Sequence, residues 1–236
     1  MRTTLKIRPF VMVLLLRIFQ TLGMSLYGAM SFYINVYSVC RGDKSMATSL
    51  SGINGIVAFF YSFAMVKISA WLTQRLGKRR GLIVGFGAAV LGAVLLPFFA
   101  HPGMPYLLLS HMMIFSFFGI LTTLFMNAVM PDICDLDELE SGERREGLFF
   151  SVLSFVTKIE TSLLVVLGGY LVAFSGFDPQ MAKQMGQQMP NVLVRMRWLG
   201  FTPLIICNCI TFLIVLRFPI TRQMMDDVRA RLAARR

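Results

Sequence analysis

The chain has 236 residues, 56% of them hydrophobic and only 15% charged, with a mean hydropathy of +0.67, a composition that excludes an ordinary water-soluble domain. Its net charge of +11 rests on 23 Lys and Arg against 12 Asp and Glu. In so apolar a chain this excess reads as membrane topology and attraction to anionic lipid, not as a nucleic-acid footprint. What remains is an all-α membrane protein embedded in a lipid bilayer.

Six spans are predicted, at 9–39, 47–74, 81–100, 104–130, 147–175 and 192–217. Each exceeds or approaches the ~20 helical residues that cross a hydrocarbon core of about 30 Å. Lipid offers the backbone no hydrogen-bond partner, so each span closes its own bonds as a helix. Residues 1–217 form the expected transmembrane domain and 218–236 a basic cytoplasmic tail, whose "TRQMMDDVRARLAARR" reads as an amphipathic surface helix.

In the first span Arg17, Gln20, Thr21, Tyr27, Ser31 and Asn35 fall within about 60° of one line at 100° per residue. Lys67, in the second, is close enough to the helix end to snorkel. The third span, "GLIVGFGAAVLGAVLLPFFA", has no polar side chain, but spaces Gly81, Gly85, Ala88 and Gly92 for close helix packing. The fourth aligns Ser116, Gly119, Thr123 and Asn127; the fifth aligns Ser151, Ser154, Lys158, Thr161 and Ser162. A lipid-facing stripe is apolar, so three polar stripes imply an interior or a water-filled cavity. Helix-to-helix hydrogen bonding is the plainer reading for the Ser and Thr members.

Between the fourth and fifth spans, "PDICDLDELESGERREG" carries Asp132, Asp135, Asp137, Glu138, Glu140, Glu143 and Glu146. Arg144 and Arg145 stand beside them, free to pair with Asp132, Asp135 or another domain. This pattern suggests a gating salt-bridge network on the inner side. Lys158 follows Glu146 by twelve residues, roughly 18 Å along a helix. A cation so deep costs about 2.5–3.5 kcal/mol on insertion scales, so water, a carboxylate or a bound solute must offset it. Glu160 is not its local partner, because residues two apart point to opposite helix faces.

Fifteen Lys and Arg lie at the termini and alternate connections and five on the other side, which places both termini in the cytoplasm. The six spans divide near "HPGMP" into two groups of three with opposite orientation, as in inverted-repeat carriers. Cys40, Cys134, Cys207, Cys209, His101 and His111 show no metal or disulfide spacing.

The stretch "DICDLDELESGERREGLFFSVLSFVTK" resembles the connection between the tenth and eleventh helices of the glycoside–pentoside–hexuronide:cation symporters, the melibiose-permease-like branch of the major facilitator superfamily. "RPF…SFYINVY", "LTQRLGKRR" and the C-terminal "RFPITRQMMDDVRARLAARR" are similar to the same family's C-terminal half, with Gln74 where an aspartate is usual. The resemblance implies a six-helix half of a major-facilitator fold in a plasma (bacterial inner) membrane. It also implies cation-coupled symport of a small solute, a sugar or glycoside, by alternating access. Lys158 then matches the family's mid-membrane lysine and Ser154 and Thr157 its substrate side, while Tyr27, Thr123 and Asn127 join them from the polar stripes. Asp132, Asp135, Arg144 and Arg145 match the inner gate. Leu153 and Thr123 stand where the melibiose-type pattern has a glutamine and a tryptophan, so a melibiose-like substrate is not implied.

The family has twelve helices and binds its coupling cation, Na+ or H+, mainly on the N-terminal six, so the expected partner is that half or a second copy of this chain. No other cofactor, no metal and no enzymatic activity are expected. The rival expectation is a truncated or non-transporting membrane component that acts by binding a partner.

Overall fold

The computed structural model describes residues 8–143, 145–184 and 188–235, and every regular element among them is helical. The helices are α1 (Arg8–Tyr33), α2 (Lys44–Leu76), α3 (Lys78–Phe99), α4 (Pro105–Ser141), α5 (Glu146–Phe174), the short α6 (Pro179–Gln184), α7 (Pro190–Leu216) and α8 (Arg222–Arg235). Six of them, α1 to α5 and α7, are long and apolar enough to cross a membrane. The chain is a multi-pass membrane protein.

Local chemistry sets where these helices begin and end. A π-helical turn, Ile34–Val39, prolongs α1 and closes with the Cys40 amide donating to Asn35 O at 2.8 Å. Asp43 then caps α2, its carboxylate accepting from the Met46 amide at 2.9 Å. Pro105 and Pro190 open α4 and α7, where the missing N–H is no loss. Gly142 ends α4 in the left-handed region at φ 74°, which few residues other than glycine adopt.

The packing repeats itself. α1 lies against α5 and α7, α4 lies against α2 and α3, and α3 meets α7 at the centre. Exchanging α1 with α4, α2 with α5 and α3 with α7 maps this pattern onto itself, so the bundle is two inverted three-helix repeats. α1 and α4 touch each other only slightly, leaving a cleft between the leading helices of the two repeats.

Lipid tails are as apolar as a core, so close packing, not exclusion of water, holds these seams. Along α3–α4 the glycines of α3 make room for α4. A Cβ at Gly81 would overlap the Phe125 ring, and one at Gly92 would stand 2.7 Å from Phe115 Cδ2. Gly81, Gly85 and Gly92 thus serve one seam, while Gly87 of the same span faces Phe212 of α7. Toward the α8 end, Phe10, Leu16, Phe86, Phe125 and Phe149 form the main core, with Phe10 and Phe149 edge to face at 4.7 Å. A second cluster around Met30, Leu96, Phe201 and Leu204 fills the opposite end. α8 adds Met225 and Val228 to the first cluster, so its apolar side faces α4 rather than standing apart.

Candidate functional site

Two cavities occupy the cleft between α1 and α4. The one nearer α5 has about 380 Å3 and is lined by Arg17 from α1, Asn127 from α4, and Ser154, Thr157 and Lys158 from α5, with Val13 and Met130 as apolar walls. The larger, about 550 Å3, is lined by Arg17, Gln20, Thr21, Ser116, Thr123 and Asn208 with Phe115. Arg17 lines both cavities.

The helical periods explain the convergence. Ser154 and Lys158 are one turn apart on α5, and Asn127 closes the opposite wall from α4. Lys158 is exposed to this space and forms no ion pair with any described carboxylate. Arg17, half-buried, likewise has none. Thr157 spends its hydroxyl proton on Leu153 O at 2.8 Å, leaving its lone pairs toward the cavity. In the larger cavity Gln20 Nε2 donates to Thr122 Oγ1 at 2.9 Å, the polar tie that spans the cleft from α1 to α4. Asn54 Nδ2 donates to Ser116 Oγ at 3.3 Å and joins α2 to the same wall. Such a site offers cationic and amide donors together with hydroxyl acceptors.

Of the residues expected at the substrate, Lys158, Ser154, Thr157 and Asn127 share the first cavity and Thr123 lines the second. Tyr27 lines neither; its ring packs 6.2 Å from Phe201 of α7, in the core of the far end. Of the gate residues, Asp132 is nearly fully buried and accepts from Lys78 at 2.7 Å and from Arg229 of α8 at 2.9 Å. Asp135 lies 3.8 Å from the same arginine. Arg145 pairs with Glu143 at 2.9 Å, and Arg144 lies outside the described residues. The charges around Asp132 therefore join α3, α4 and α8.

One residue was given no role by the sequence beyond being ruled out as the partner of Lys158. Glu160 is only 8% exposed, and neither carboxyl oxygen has a hydrogen-bond partner. Val152, Val156, Leu164 and Gly168 lie at four-residue steps from it, so the carboxyl occupies the apolar ridge that packs on α1. The signal was present: an ionisable residue in register with the buried stripe, not with the polar one.

A helical bundle of two inverted repeats, with a polar cleft between the leading helices, is the build of half a major-facilitator transporter. The chain belongs to the MFS/sugar transport protein family, whose model matches residues 1–222. It is 29% identical to an uncharacterised symporter of Synechocystis over 97% of its own length and 41% of that protein's. It is 23% identical to an uncharacterised symporter of Bacillus subtilis over 75% of its length and 37% of the relative's. With the isoprimeverose transporter of Lactiplantibacillus pentosus it shares 26% identity over 69% of its length and 34% of the relative's. The chain thus spans about a third to two fifths of the length of these relatives.

Proposed function

We propose that the chain forms one half of a cation-coupled sugar symporter and supplies part of its solute site. The observation that carries this reading is the cavity in which Lys158 and Arg17, neither held by a carboxylate, face Asn127, Ser154 and Thr157. Sugars present many hydroxyls and little charge. A site that recognises them needs several donors and acceptors fixed on rigid helices, and these residues provide both. An isoprimeverose-like glycoside is the first solute to test, because one relative is an isoprimeverose transporter.

Alternating access would follow from the fold. A second six-helix body would close the cleft from the side that α2 and α5 leave exposed, and the two bodies would rock about the solute. That body would be an N-terminal half or a second copy of this chain. Both termini would face the cytoplasm across a bacterial inner membrane, with the Asp132 charges on the same side. The division into a membrane domain at 1–217 and a tail at 218–236 belongs to the same proposal.

The test is uptake by the complete transporter in proteoliposomes, over isoprimeverose and a panel of other glycosides and pentoses. Lys158→Val is expected to abolish uptake while the protein still inserts and remains monodisperse. Uptake at the wild-type rate would remove Lys158 from the site and with it the reading.

A further inference from the structure

We propose that Glu160 is a proton-binding carboxyl of this half, holding a proton while sealed between α1 and α5 and releasing it to the Arg17-lined cavity when the helices part. The proposal deepens the symport reading and rests on it, since it assigns a coupling site to this half as well as to the N-terminal half expected to bind most of the coupling cation.

The geometry carries the assignment. Glu160 sits mid-helix, 8% exposed, with both oxygens unpartnered. Its neighbours along the ridge are Val152, Val156 and Leu164, and one turn beyond them Gly168 lets α1 approach so closely that a Cβ there would lie 2.7 Å from Ala29 Cβ. A carboxylate in such a seam has lost water and found no hydrogen bond in exchange, and with Arg17 outside ion-pair distance the form that belongs there is the neutral acid. Glu160 approaches the backbone of Leu22, but no hydrogen bond of acceptable geometry forms.

The seam also has an exit. From α1, Arg17 is close enough for its charge to act on Glu160. On its own helix Lys158 stands two residues back, and the wall that α4 contributes carries the uncharged Asn127. Arg17 and Lys158 line the cavity on one side of the seam. Farther along α5, on the same stripe as Lys158, a groove of about 460 Å3 is lined by Ser25, Ala29, Thr161 and Leu164. Parting of α1 and α5 would hydrate the carboxyl from either of these spaces. Glu160 would then transfer its proton to water, and the carboxylate left behind would pair with the Arg17 guanidinium. The O–H bond breaks, water takes the proton, and no redox change is involved.

A proton fits this place better than a metal cation. Sodium needs several oxygen ligands, whereas here one carboxyl is flanked by aliphatic side chains and a guanidinium. Among the described residues no group of three or more His, Cys, Asp or Glu is placed to hold a metal ion.

The experiment uses this chain in lipid nanodiscs, with protons and sodium as the probes. Infrared difference spectroscopy should show the carbonyl stretch of a protonated carboxyl that is lost in Glu160→Gln and declines as the pH is raised. Dicyclohexylcarbodiimide, which takes the proton of a carboxylic acid in an apolar site and is then attacked by its oxygen, should label Glu160 in the unmodified chain, several-fold more slowly at alkaline than at acidic pH. The labelling needs no variant, so it stands even if Glu160→Gln fails to fold. Three results would overturn the proposal: no signal that depends on Glu160, a signal indifferent to pH, or protection by sodium at constant pH. Neither measurement involves solute or uptake. Wild-type uptake by Lys158→Val would thus defeat the symport reading separately, and silence at Glu160 would defeat this inference alone.

Discussion

Lys158 and Glu160 are separated by one residue on α5 and live in different surroundings. Lys158 faces an open polar cavity, while Glu160 faces the backbone of α1. A helix turns 100° per residue, so a two-residue step moves a side chain from the cleft to a packed seam. Around the cavity, the residues differ in what their loss should cost. Ser154→Ala removes one neutral hydrogen bond, about 0.5–1.5 kcal/mol, and should raise the KM for uptake about 2- to 12-fold with little change in maximal rate. Lys158→Val removes a charged donor that nothing else in that cavity except Arg17 replaces, so its effect should be near total. Tyr27→Phe should leave KM unchanged, because the ring packs against Phe201 outside both cavities; a clear rise in KM would place the hydroxyl at the solute.

Between elements, the α3–α4 seam is where close approach is most demanding. Gly81→Val puts methyl groups into the space held by the Phe125 ring, which is fully buried. The expected loss is about 1–3 kcal/mol, read as a lower thermal midpoint in detergent. Gly52→Ala on α2 meets nothing within 4 Å and is the control, with no loss expected. The seam was readable beforehand because small residues recur at helical spacing in a span without any polar side chain. The seam between α1 and α5 was not. Its ridge contains Val, Leu and Gly interrupted by Glu160, and the polar stripe of the same helix draws attention to the other face. The larger cavity shows the same limit: Thr122, which bonds Gln20 across the cleft, lies beside the recognised stripe rather than on it.

For the whole molecule, the charges near Asp132 decide how the C-terminal helix is held. Asp132 is buried, while Lys78 is 26% and Arg229 54% exposed at the side chain, so solvent screens both partners. Asp132→Asn should therefore weaken the docking of α8 by about 1–3 kcal/mol, less than the 3–5 kcal/mol of a fully buried pair. Faster hydrogen exchange at 222–235, with little change in α5, would show it. Unchanged exchange would mean that Met225 and Val228 hold α8 by packing alone.

The amino-acid sequence alone determined the class of protein, the six apolar spans and the small-residue face of α3. Hydropathy and helical spacing are local properties, and lipid leaves the backbone no choice but helix. It also marked the polar stripes and the depth of Lys158. Only the tertiary structure decided which stripes share a cavity, that Tyr27 stands apart from them, that Asp132 binds Lys78 and Arg229, and that Glu160 is buried. Each of those depends on how one helix is rotated and tilted against another far away in the chain. That choice is made by packing across the seams, which no single stretch of sequence contains.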